Sequence, residues 1–214
     1  MIQYPILMYV SLFSAAIPIL AGIYRLGSID RGMKILFYYL IAAFATDIFL
    51  MWFVRGHQLL HIGLVHAYYL VEYLFIMSII SVWQESHRMK RLFHALLLLY
   101  ILFWIVAKVT FEPLTGLYSL TASVSQVLLV LSAGYTLFVV IGNRVQPLFS
   151  HQRFWVLLSF VIYYTGTLML VALQGILVHY STADLFLSAS INWSLKILFN
   201  ILITVGFLCP QTQP

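Results

Sequence analysis

The chain has 214 residues, of which 63% are hydrophobic and only 8% charged. Soluble domains carry about a quarter charged residues, so this composition excludes an ordinary water-soluble fold and leaves lipid as the solvent for most of the surface. The formal net charge is +5, but the basic residues lie between apolar runs and form no patch, which excludes a nucleic-acid partner and leaves membrane topology as their explanation.

A helix needs roughly 20 apolar residues to cross a hydrocarbon core about 30 Å thick. Seven runs qualify: 5–24, 35–54, 61–83, 92–111, 117–142, 154–178 and 185–208. The first lacks a basic leader and a small-residue cleavage site, and so reads as a retained span. The fourth is the weakest, because Lys108 falls inside it. It serves as a span if Lys108 snorkels to the headgroups, and six spans remain if it does not. The connecting segments are short and hold nearly all the charges together with the turn formers Gly27, Ser28, Pro113, Gly116 and Pro147. The expected architecture is one all-α domain over residues 1–214, a polytopic bundle of seven transmembrane helices.

Lysine and arginine in short loops set orientation. The first loop holds Arg25, Arg31 and Lys34, the third Arg88, Lys90 and Arg91, and the fifth Arg144 and Arg153. Against these eight, the even-numbered loops have only Arg55 and Lys108. The expectation is an N-terminus outside and a C-terminus in the cytoplasm. Trp52, Trp83, Trp104 and Trp155 fall at run ends, as an interfacial aromatic belt requires. The single cysteine, Cys209, allows no internal disulfide and reads as an apolar side chain, with palmitoylation as the alternative. His57 and His61 have the spacing of a helical metal pair but no third ligand, so no metal site is expected. The basic run from His87 to His94 reads as topology signal, with anionic-lipid binding as the lesser alternative.

Three charges sit deep in the runs: Asp47, Glu72 and Lys196. An ionised group near the bilayer centre is costly unless paired or hydrated, so all three should point inward. At 1.5 Å per residue, Asp47 lies about 11 Å from the even-loop surface, Gln126 about 14 Å, and Glu72 and Lys196 about 17 Å. Four polar groups on four helices thus share one layer. In the seventh run Ser188, Asn192, Lys196, Asn200 and Thr204 recur every fourth residue, and make a slowly winding polar stripe that should face the interior. In the third run His66, Tyr69 and Tyr73 share a face with Glu72 at its edge. Both tyrosines can donate to a carboxylate, and His66 can relay a proton.

The lysine of the seventh run and the acid of the third resemble the arrangement in microbial rhodopsins. That resemblance implies a retinal-type chromophore on Lys196 and a counterion at Glu72. It covers an architecture and two residues: Tyr69 stands where the family has arginine, Tyr73 follows the acid where it has tryptophan, and Asn192 replaces its second acid. The His66, Tyr69, Glu72 spacing and the Asn192, Lys196, Asn200 spacing also resemble small uncharacterised bacterial seven-helix membrane proteins. This second resemblance implies a bacterial inner (plasma) membrane and no activity. No serine–histidine–acid set, glycine-rich phosphate loop or cysteine pair points to an enzyme.

The favoured functional reading is an intramembrane polar pocket that binds or senses a small amphipathic ligand, lined by Asp47, His66, Tyr69, Glu72, Tyr73, Gln126, Asn192, Lys196 and Asn200. A proton-coupled transporter uses the same groups as a relay. A structural or assembly subunit uses them only to lock helices, and its partner is then another membrane protein. A covalent adduct on Lys196 is the fourth reading.

Overall fold

The computed structural model describes residues 5–52, 58–114, 120–142, 148–177 and 182–210. Among them are eight α-helices: α1 (Ile6–Ser14), α2 (Ala16–Arg25), α3 (Arg31–Trp52), α4 (Gln58–Trp83), α5 (His87–Thr110), α6 (Leu120–Gly142), α7 (Gln152–Leu177) and α8 (Thr182–Leu208). A 3₁₀ turn, Leu148–Ser150, precedes α7. With α1 and α2 counted as one, seven helices are long and apolar enough to cross a membrane. The fourth run is among them, as the continuous helix α5. The first run is not one continuous helix. It breaks at Ala15, three residues before Pro18, whose missing N–H removes the bond that would return to Ser14.

The helices close into a ring. The α1–α2 pair packs on α3 and on α8, α3 on α4, α4 on α6, α6 on α7, and α7 on α8. Helix α5 lies outside this ring against α4 and α6. Its outward face carries Leu98, Leu99, Leu102, Val106 and Val109, all exposed. Apolar side chains at the surface of every span, such as Phe138 at 76% exposure, suit a lipid surround.

Packing is uneven along the ring axis. The buried apolar side chains of α3 are Met33, Leu36, Phe37 and Leu40, and those of α4 are Ile76, Met77, Ile79 and Ile80. Those of α7 are Val156, Leu157 and Phe160, and those of α8 are Phe199, Ile203 and Phe207. All lie in the half nearer the odd-numbered loops. A polar clasp closes this end. The Asp30 carboxylate caps α3 by accepting from Met33 N at 2.8 Å, and also accepts from Trp83 Nε1 at 3.2 Å and Arg153 Nη2 at 3.2 Å. Trp83 is therefore a buried strut and not part of an aromatic belt, whereas Trp52 is 68% exposed. At the same end Arg25 and Gln152 both donate to the Cys209 carbonyl. Burial holds the Cys209 thiol above its ordinary range, with Arg25 opposing in part, and this favours the inert reading of that residue.

The close approach of α7 and α8 depends on Gly206. A Cβ there would stand 2.9 Å from Val156 Cγ2 and 3.3 Å from the Gln152 carbonyl oxygen, whereas a Cβ at Gly134 of α6 meets nothing within 4 Å. Gly206→Ala is therefore expected to cost about 1–3 kcal/mol through overpacking. Gly134→Ala should be neutral or stabilising by up to about 1 kcal/mol, from helix propensity. Thermal unfolding of the two variants in one detergent checks the contrast.

Candidate functional site

In the half nearer the even-numbered loops, the ring encloses a cavity of about 400 Å³. Its polar floor comes from Asp47 on α3, Tyr68 and Glu72 on α4, and Lys196 on α8. Gln126 enters from α6, Tyr163 and Thr167 from α7, and Ser188 and Asn192 from α8. Leu50, Val65, Leu170 and Val171 add apolar wall. Helices α3 and α4 face α7 and α8 across this space, bridged by side chains.

Two bridges cross it. Lys196 Nζ forms an ion pair with Asp47 Oδ2, linking α8 to α3. Both side chains remain about a quarter exposed, at 25% and 24%, because they border the cavity. The second bridge centres on Glu72, whose Oε1 accepts from Tyr39 OH at 2.8 Å and from Tyr164 OH at 3.2 Å. Tyr39 OH also lies 3.4 Å from Tyr68 OH. A phenol has one proton, and that of Tyr39 goes to Glu72, so Tyr68 is the donor in this contact. The result is a hydroxyl chain, Tyr68 to Tyr39 to Glu72, met by Tyr164 from the other side of the ring.

The expected layer of Asp47, Glu72, Gln126 and Lys196 thus lines one cavity, but its pairing differs from the sequence reading. Lys196 pairs with Asp47, so the counterion position that the rhodopsin resemblance gives to Glu72 is filled by Asp47. Tyr69 lines the cavity, but Tyr73 turns away. It donates to the Leu96 carbonyl at 3.3 Å and its ring centroid is 4.0 Å from that of Tyr100, because its position on α4 faces α5. On α8 the polar stripe divides as it winds. Ser188, Asn192 and Lys196 reach the cavity, whereas Asn200 Nδ2 donates to Ser14 Oγ on α1 at 2.8 Å. Gln126 is 3% exposed, and its Oε1 is buried with no hydrogen-bond partner.

His66 belongs to a different cluster. Lys108 Nζ donates to His66 Nδ1 at 3.0 Å, to Thr121 Oγ1 at 3.1 Å and to Glu112 Oε1. An ammonium has donors only, so His66 Nδ1 accepts and the ring proton lies on Nε2. Glu112 in turn accepts from Thr121 N and Oγ1, both at 2.9 Å, placing a carboxylate at the N-terminus of α6. The Lys108 and Glu112 side chains are 6% and 7% exposed. Lys108 therefore does not snorkel to the headgroups. Acceptors on α4 and α6 and just beyond the end of α5 hold it inside the bundle, tying the three helices together. His57 lies outside the described residues, as does the start of the fifth run at 117.

No family model matches the chain, and no curated protein or solved structure matches it either. Both resemblances drawn from the sequence therefore rest on the residues that carry them.

The tyrosines that hold Glu72 were not among the candidate residues, although a signal for them exists. Tyrosine is doubled at 38–39, 68–69 and 163–164, in three different spans. Adjacent helix positions differ by about 100°, so a doubled tyrosine places one hydroxyl near the interior across a wide range of helix rotations. Lys108 and Glu112 are likewise a plain i, i+4 pair. They fell outside the layer because they sit at a helix end.

Proposed function

We propose that this chain is an integral protein of a bacterial inner membrane that binds a small amphipathic ligand in the even-loop cavity. The even loops face outward and the C-terminus is cytoplasmic, following the excess of lysine and arginine in the odd loops. The observation that carries the reading is the cavity itself. A space of about 400 Å³ with apolar walls and a few convergent polar groups has the size and character of a small-molecule site. A layer serving only to lock helices would gain by closing it. The Lys196–Asp47 bridge also supports the competing structural reading, in which the partner is another membrane protein. The hydroxyl chain around Glu72 is what a proton-coupled carrier would use.

Mass spectrometry of gently purified, then denatured, protein separates these readings. Wild type is expected to release a stoichiometric small molecule. The Asp47→Asn/Lys196→Met double variant, which removes both charges together, should fold but release far less. A folded wild-type protein that releases nothing would overturn the binding reading and shift weight to the structural one. A proton flux in liposomes abolished by Glu72→Gln would favour the carrier.

A further inference from the structure

On the reading that the cavity binds a ligand, we infer that it selects an organic ammonium ion, with the charged head between Glu72 and Gln126 and an apolar tail toward the even loops. Charge is the first ground. Among the described residues, the cavity lining holds two carboxylates, Asp47 and Glu72, and one ammonium, Lys196. The Asp47–Lys196 pair cancels itself, and two hydroxyl donors on Glu72 suit an ionised, acceptor-only carboxylate. Among the described lining residues Glu72 is thus the carboxylate without a cation of its own, and a bound cation would stabilise its ionised form.

Unused hydrogen-bonding capacity is the second ground. Both tyrosine bonds to Glu72 fall on Oε1, while a carboxylate offers acceptor sites on two oxygens. On the neighbouring helix α6, Gln126 also lines the cavity, and its buried Oε1 acceptor has no partner. A primary ammonium has three donors and no acceptor, which matches two acceptors left over on the neighbouring helices α4 and α6. The rings of Tyr68, Tyr69 and Tyr163 line the same space and can present aromatic faces to a cation.

An anionic head fits worse. Beside Lys196 it would join Asp47 and Glu72, so that three acidic groups share one cation among the described lining residues. A neutral alcohol could donate one bond but would bring no cation to Glu72.

The test uses three matched probes, benzylammonium, benzoate and benzyl alcohol, with the purified full chain in detergent at neutral pH. Equilibrium dialysis measures affinity, and thermal unfolding confirms that each sample is folded. Benzylammonium is expected to bind at least tenfold more tightly than either competitor. Glu72→Gln should cut that preference to below threefold. If Glu72→Gln does not fold, Gln126→Met serves in its place, with a loss of about threefold or more expected. Equal affinities, or tighter benzoate, would overturn the ammonium assignment and leave the binding reading standing. Binding of none of the three would overturn the assignment too, and the binding reading falls with it only if the native protein also releases no molecule on denaturation.

Discussion

Lys108→Met is expected to destabilise the protein by about 3–5 kcal/mol, the usual cost of stranding one member of a buried ion pair. Glu112 would keep its bonds from Thr121 but lose the Lys108 ammonium, and His66 Nδ1 would lose the bond from Lys108. Lys108→Met/Glu112→Gln should recover most of the loss, because glutamine still accepts from Thr121 N without leaving a charge behind. Thermal or denaturant unfolding of the single and double variants in one detergent gives the coupling directly. The result bears on topology as well as stability. A lysine extended to the headgroups would make Lys108→Met nearly neutral, so a small effect would contradict the buried cluster.

Lys196→Met should cost less, about 2 kcal/mol, because Lys196 and Asp47 border the cavity and are each about a quarter exposed. Asp47 is then left uncompensated at the floor of the site. Asp47→Asn alone strands the lysine to a similar extent, and the double variant should be more stable than either single one. A full cycle of four proteins isolates the pairwise term. If the double variant were as unstable as the sum of the singles, the two groups would be energetically independent and the bridge between α3 and α8 would be refuted. Lys196→Met should also change ligand release. Glu72, held by Tyr39 and Tyr164, keeps its own hydrogen bonds in this variant, so the effect reports on the bridge and not on the hydroxyl chain.

Much of the fold was legible in the sequence because the bilayer imposes a length and an apolarity that seven runs satisfy. The inward setting of Asp47, Glu72 and Lys196 was legible for the same reason, since lipid penalises a charge on any outward face. The partner of each charge was not. Depth counted along separate helices puts Glu72 level with Lys196 and Asp47 about 6 Å nearer the even loops, yet Asp47 is the partner; which one the lysine meets depends on helix rotation and ring order, and these follow from packing contacts such as Gly22 on Phe37 and Gly206 on Val156. Lys108 was misjudged because a lysine near a span end has two escapes, outward to water or inward to a carboxylate. The choice depends on Glu112, four residues further on, outside the apolar run by composition yet buried beneath the start of α6.

The division of the ring into a filled half and a hollow half has a mechanical consequence. Close-packed side chains such as Phe160, Ile203 and Met77 resist displacement, whereas the helix ends around the cavity are spaced by two side-chain bridges. Around the hollow half the ties are polar and few: the Lys196–Asp47 and Glu72–tyrosine bridges span it, and the Lys108 cluster fixes α4 to α5 and α6 beside it. Resistance to separating α3 and α4 from α7 and α8 thus rests on side-chain close packing at the basic end and on electrostatics at the other, so salt and pH bear on one half of the molecule more than on the other.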